Sequence, residues 1–238
     1  MVAEYWISGL LIGQLLVGMV GAKLFFNKLQ PQNLRKGLLP KLSSLQMRAL
    51  FRFSWPVAIA VGLGWVQSQG YRIIMEQEVG LNELGLFVAG YGISAGLIAG
   101  FESIISTYFQ PKFYKDINSV NIDDQSRAWN EYAQAVLPSL ILTSILIMST
   151  ALDLTKLLLG SNFRESAQFI LWGSLAELSR VIIGVFALAS HARMNTKMLL
   201  LPNMVGAIIS VLLIWYFIPL YGSNGVGLGL VFSYILSL

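Results

Sequence analysis

Two ionisable residues three positions apart, Glu177 and Arg180, interrupt an otherwise apolar stretch running from about 166 to 190. On a helix that spacing puts both on one face, close enough to pair. An Asp, Lys or Arg at the centre of a membrane helix costs roughly 2.5–3.5 kcal/mol on insertion scales, so such residues need a reason to be there. Two readings are open. Either the pair lines a polar cavity, where it binds an anionic headgroup or takes part in proton coupling, or it is a neutralised structural pair facing the bundle interior. Glu102 stands in another apolar stretch with no partner nearby in sequence. A carboxyl in that position suits proton coupling, or it simply sits near the interface. Arg72 follows Gln67-Ser68-Gln69-Gly70-Tyr71, an unusually polar helix end that could open on an aqueous cavity. A guanidinium there can grip a phosphate through two parallel hydrogen bonds, or it is an interfacial residue snorkelling to water.

Other chemistry is excluded by residue type. The chain has no cysteine, so disulfide frameworks, zinc ribbons and thiol nucleophiles are ruled out. Its single histidine, His191, cannot build a histidine metal site or a histidine pair. No phosphate loop, dinucleotide fingerprint, HExxH or GxSxG motif occurs, which argues against an enzyme. Basic residues do not cluster among aromatics, so nucleic acid is not a partner.

The elements that must carry these residues follow from the charge gaps. Only 12% of the 238 residues are charged and 55% are apolar, against about 25% charged in a soluble domain. That is the composition of a membrane protein. A bilayer core about 30 Å thick needs roughly 20 apolar residues per helix. Uncharged or nearly uncharged runs give an all-α, polytopic transmembrane bundle of about seven spans: 5–25, 52–70, 84–109, 133–152, 166–190, 198–218 and 224–238. The last two are separated by the turn residues Pro219 to Gly225, and the last is short, as though cut off.

The loops carry the orientation. Basic residues number twelve in loops 23–52, 110–132 and 191–197, and three in the alternate loops. By the positive-inside rule the basic loops face the cytoplasm. The chain then starts outside, which leaves room for further segments before Tyr5. Within the spans, Gly92, Gly96 and Gly100, and also Gly9 and Gly13, form small-residue rows. Such rows suit tight static packing or a sliding helix surface. Tyr5, Trp6, Trp55, Trp129, Tyr132, Trp215, Tyr216 and Tyr221 lie near span ends and read as an interfacial aromatic belt.

Several segments, taken together in order, resemble one family. They are Phe51-Arg-Phe-Ser-Trp-Pro56, Gly70-Tyr-Arg-Ile-Ile74 and Val79-Gly-Leu-Asn-Glu-Leu-Gly-Leu-Phe-Val-Ala-Gly-Tyr91, then Gln110-Pro111, Leu157-Leu-Leu-Gly-Ser-Asn-Phe163 and Ile218-Pro-Leu-Tyr-Gly-Ser-Asn-Gly225. They are similar to segments of the polysaccharide flippases, the O-antigen and capsule exporters of the multidrug/oligosaccharidyl-lipid/polysaccharide exporter superfamily. One departure is that Tyr71 stands where the family usually has an Asp before the Arg.

The resemblance covers about residues 48–238 and implies one lobe of a two-lobe, V-shaped exporter. Residues 1–25 would be the last helix of a missing first lobe, 26–51 a basic cytoplasmic linker, and 52–238 a six-helix second lobe with its last helix truncated. It implies transport of an undecaprenyl-diphosphate-linked oligosaccharide across the cytoplasmic membrane, in surface polysaccharide biosynthesis. Arg72, Arg180, Glu177 and Glu102 would contact the substrate. No cofactor is implied beyond H+ or Na+ as a coupling ion. The expected partners are the lipid-linked oligosaccharide, membrane lipid, a polysaccharide polymerase and glycosyltransferases. The alternatives are a multidrug or cation exporter of the same superfamily, and a non-transporting membrane scaffold.

Overall fold

A computed structural model describes residues 12–13, 15–21, 44–117, 122–192 and 196–238. Every regular element among them is helical. The chain divides into two units, Met1–Arg48 and Ala49–Leu238. In the first, residues 15–21 are helical and exposed. Residues 26–43 of the expected linker 26–51, the basic residues Lys23, Lys28, Arg35, Lys36, Lys41 and Arg193, and Tyr5, Trp6 and Gly9 all lie outside the described residues, while 44–51 of that linker are helical.

The second unit is an all-α bundle. We number its helices α1 (Ser44–Gln69), α2 (Tyr71–Glu78), α3 (Leu81–Asp116), α4 (Ile122–Ser149), α5 (Ala151–Leu158), α6 (Ala167–Ala192), α7 (Leu200–Tyr221) and α8 (Ser223–Leu236). The first of these begins at the end of the first unit. Short 3₁₀ turns, Ser161–Ser166 and Thr196–Leu199, precede α6 and α7. Among the described residues, four helices are long and apolar enough to cross a membrane: α3, α4, α6 with its leading turn, and α7. That makes this a membrane protein with transmembrane helices. At a rise of about 1.5 Å per residue, the 14 residues of α8 reach only about 21 Å. The expected span at 52–70 begins earlier, at Ser44, and ends in the polar run Gln67-Ser68-Gln69.

Three expected loops are shorter or more helical than charge alone suggests. Helix α3 does not end at Pro111 but runs to Asp116. A proline inside a helix removes a hydrogen bond and costs about 3 kcal/mol. Here the continuation buries Phe113, 2% exposed, against the ring of Tyr132 at 5.2 Å, and Lys112 reaches Glu131 at 2.7 Å. Likewise α4 begins at Ile122, well before the expected start near 133. The loop after α1 is mostly the short helix α2. The break between the last two helices is one residue, Gly222, at φ +57° and ψ −139°. Pro219 lies inside α7 instead of ending it. Only glycine adopts that backbone conformation without strain.

The core has two parts that share α3 and α6. One gathers Tyr71 and Met75 of α2, Phe87 and Tyr91 of α3, Phe169 of α6, and Ile214, Leu230 and Tyr234 of α7 and α8. The other joins Ile98 and Phe113 of α3 to Tyr132, Val136 and Leu140 of α4 and Ile170 and Val181 of α6. Tyr132, expected in the interfacial belt, is therefore a core residue, whereas Trp215, Tyr216 and Tyr221 are exposed as a belt requires.

Small residues let α3 and α6 approach. A Cβ on Gly90 would overlap the carbonyl oxygen of Ser166, and one on Gly173 would sit 3.0 Å from Cα of Tyr91. Ser94 Oγ donates to the Ile170 carbonyl at 2.9 Å, and Ser174 Oγ donates to Ser94 Oγ at 3.3 Å. The expected packing row Gly92, Gly96 and Gly100 behaves differently. Nothing among the described residues lies within 4 Å of a Cβ built on any of the three. The close approach is made by Gly90, which lies out of register with that row on the helix.

Candidate functional site

The structure brings three of the four expected site residues together. Arg180 Nε donates to Glu177 Oε2 at 2.7 Å, the local pair that the i,i+3 spacing allows. Its Nη2 donates to Glu102 Oε2 at 3.1 Å, from a residue 78 positions away on α3. Glu102, which has no partner nearby in sequence, thus has one in space. A fourth member was not singled out as a site residue from sequence. Tyr91 Oη donates to Glu177 Oε1 at 2.6 Å. Glu177 is 6% exposed, so both of its oxygens are satisfied inside the bundle.

The seam between α3 and α6 explains the arrangement. Gly90 and Gly173 hold the two helices at backbone distance, so Tyr91 and Glu102, three turns apart on α3, both reach the middle of α6. Charge is left over. Two carboxylates share one guanidinium, and a charge in a low-dielectric interior is costly unless it is paired and hydrogen-bonded.

Arg72 stands apart from this cluster. It lies exposed on α2, its guanidinium carbon 5.9 Å from the ring centroid of Tyr71. No carboxylate lies within ion-pair distance of it among the described residues. Tyr71 itself is packed into the core, 5.1 Å from the ring of Phe87 and 6.1 Å from that of Tyr91.

Beside the cluster is a cavity of about 260 Å³ between the polar end of α1 and helices α6, α7 and α8. Arg180 is its charged lining residue. The polar end of α1 opens on it through Gln67 and Ser68. Gln67 is 3% exposed and its Nε2 donates to Ser233 Oγ at 3.2 Å. Gly206 makes room for it, since a Cβ there would come within 2.5 Å of Gln67 Oε1. From α7, Asn203 Nδ2 donates to the Leu199 carbonyl at 2.7 Å, which leaves its Oδ1 available, and Tyr234 of α8 and Ser237 just after it also line the space.

Two motif segments that lie far apart in sequence also meet. Ser223 Oγ donates to Glu83 Oε2 at 2.6 Å, tying the first turn of α3 to the start of α8. Trp172 Nε1 donates to Asn224 Oδ1 at 3.1 Å, tying α6 to the same turn.

Asn203, Tyr234 and Ser237 lie in uncharged runs and carry no local pattern that marks them. Tyr91 was visible only as the end of a motif. Among the described residues, no group of three or more His, Cys, Asp or Glu could hold a metal ion. No protein-family model, curated protein or solved structure matches the chain.

Proposed function

We propose that this protein moves a lipid-linked oligosaccharide, an undecaprenyl-diphosphate-linked repeat unit, across the cytoplasmic membrane for surface polysaccharide synthesis. The observation that carries the reading is a hydrogen-bonded polar strip inside a bundle with apolar outer faces. Tyr91, Glu102, Glu177 and Arg180 run into a cavity lined by Gln67 and Asn203. Residues this costly at membrane depth mark pathways for polar cargo. The motif segments that resemble the flippases support the same reading, as do the basic loops, which would face the cytoplasm with the chain crossing several times.

In this mechanism the sugar crosses by the polar strip while the polyprenyl tail stays in lipid. The diphosphate falls to Arg72, whose guanidinium has no carboxylate partner among the described residues, whereas that of Arg180 is already engaged twice. Arg180, Glu177 and Glu102 shape the polar wall, and one lobe rocks against another to alternate access. A polymerase and glycosyltransferases would act on either side of this step.

The test is export of surface polysaccharide by the full-length protein at matched expression. Arg72→Ala is expected to lower export at least tenfold and Arg72→Lys to restore part of it. If Arg72→Ala and Arg180→Ala both export at the wild-type level, the substrate contacts are wrongly assigned.

A second reading has one observation in its favour. Two carboxylates against one guanidinium leave a net negative cluster, which suits a cation exporter or H+ or Na+ coupling. Efflux of a lipophilic cation from proteoliposomes, without movement of lipid-linked oligosaccharide, would favour it.

A further inference from the structure

We infer that the cavity between α1, α6, α7 and α8 is a binding site for one neutral, hydroxyl-rich ring, the chemistry of a single monosaccharide. The inference rests on the transport reading and narrows it: the pocket takes a sugar, not the diphosphate and not a cation.

The first observation is an unused hydrogen-bonding group. Tyr234 is 3% exposed and lines the cavity, yet its hydroxyl has no hydrogen-bond partner among the described residues. Unlike the sealed Ser144 hydroxyl, it opens on the cavity and takes its partner from whatever fills that space. A ligand hydroxyl in the cavity would supply it.

The second is the donor and acceptor set around that phenol. Asn203 presents a carbonyl oxygen whose amide nitrogen is committed to the Leu199 carbonyl. Ser68 and Ser237 donate to the carbonyls of Trp65 and Tyr234, so each keeps lone pairs for an incoming donor. Arg180 retains N–H groups beyond the two spent on Glu177 and Glu102. Donors and acceptors both line one space, as hydroxyls that both give and accept require. Ile183 and Pro202 supply apolar surface for the C–H face of a ring.

The third is charge. The lining cation, Arg180, would draw a phosphate, but two carboxylates on its other donors over-compensate it. An anion meets the same guanidinium, but the two carboxylates behind it cancel the attraction that would offset its desolvation. A cation entering the cavity meets the guanidinium first, because neither Glu102 nor Glu177 lines it. A neutral ligand avoids both penalties.

The fourth is size. Pockets that enclose drug-sized molecules run to about 300–1,000 Å³, and about 260 Å³ takes one ring, not an oligosaccharide.

The test is saturation-transfer NMR on the full-length protein in lipid nanodiscs, prepared without glucoside or maltoside detergents, which would compete. The probes are methyl α-glucopyranoside, methyl α-galactopyranoside and N-acetylglucosamine, with pyrophosphate and sodium chloride as separate arms. At least one glycoside is expected to receive saturation. Tyr234→Phe, which removes one oxygen and leaves the ring, should weaken binding about fivefold, the effect of one neutral hydrogen bond. Asn203→Ala should weaken it similarly, and Ser139→Ala, on α4, should not. An unchanged melting temperature for Tyr234→Phe separates lost binding from lost fold.

The proposal is overturned if no glycoside binds, if Tyr234→Phe and Asn203→Ala bind as well as wild type, or if only pyrophosphate or sodium occupies the site. A translocation assay in proteoliposomes separates the two readings. Glycoside binding without translocation removes the transport reading and keeps the pocket. Translocation without glycoside binding does the reverse.

Discussion

Arg180 neutralises part of the charge on two acids, so its loss and theirs are not equivalent. Arg180→Ala strands Glu177 in the bundle with only Tyr91 to hold it. Removing one partner of a fully buried pair costs on the order of 3 kcal/mol; the Arg180 side chain is 37% exposed, so a smaller but measurable drop in thermal midpoint is expected in detergent. Tyr91→Phe should cost less, about 1.5–3 kcal/mol, the range for a hydrogen bond to a charged group. If Arg180→Ala melts with the wild type, the cluster is not buried as described. Ser144 offers the opposite sign. It is fully buried on α4, and its Oγ has no partner among the described residues. Ser144→Ala should therefore stabilise the protein by about 1 kcal/mol, because a desolvated hydroxyl with nothing to bond is removed. The sequence made Glu177 and Arg180 legible as a pair because their contact is local. The joining of Glu102 and Tyr91 to them was not legible, because it depends on how two helices pack.

Helix packing also decides which glycines matter. The Gly92, Gly96 and Gly100 row has the spacing of a packing motif, and spacing alone cannot show which side of α3 meets a neighbour. Gly90 and Gly173 do meet one. Gly90→Ala should cost about 1–3 kcal/mol, since the new methyl overlaps a backbone oxygen that cannot move aside. Gly96→Ala should be neutral or stabilise by up to about 1 kcal/mol, as it enters open space and favours the helix. Equal losses at both positions would mean that the row packs against a neighbour after all. The same limit applies at Pro111 and Pro219, each of which lies inside a helix. Proline signals a local preference, and burial of Phe113 outweighs that preference at the first of them. Gly222, by contrast, was readable as part of a turn, because its backbone conformation is a property of the residue itself.

For the molecule as a whole, composition sufficed to give the class: an all-α membrane bundle follows from the scarcity of charge and the length of the uncharged runs. Orientation is a separate matter and rests on the basic loops. It can be tested directly, because the chain contains no cysteine to be removed first. In cells, the Ser126→Cys protein should resist a membrane-impermeant maleimide until the membrane is opened, and the Ser161→Cys protein should react at once. Both serines are exposed, at the start of α4 and in the turn before α6. The reverse pattern would invert the assigned topology and remove the positive-inside argument with it.

The length of α3 has a mechanical consequence. Its 36 residues form one helix of about 54 Å, which approaches its neighbour closely at Gly90, against the Ser166 carbonyl. From that contact to Asp116 is about 39 Å, roughly three times the arm toward Leu81. A tilt of about 5° about that contact would move the Glu83–Ser223 latch by about 1 Å and the far end by about 3 Å. Helix α4 is coupled to that end by Lys112 and Glu131 and would be carried with it. A small rearrangement at one end of this helix is thereby geared up at the other.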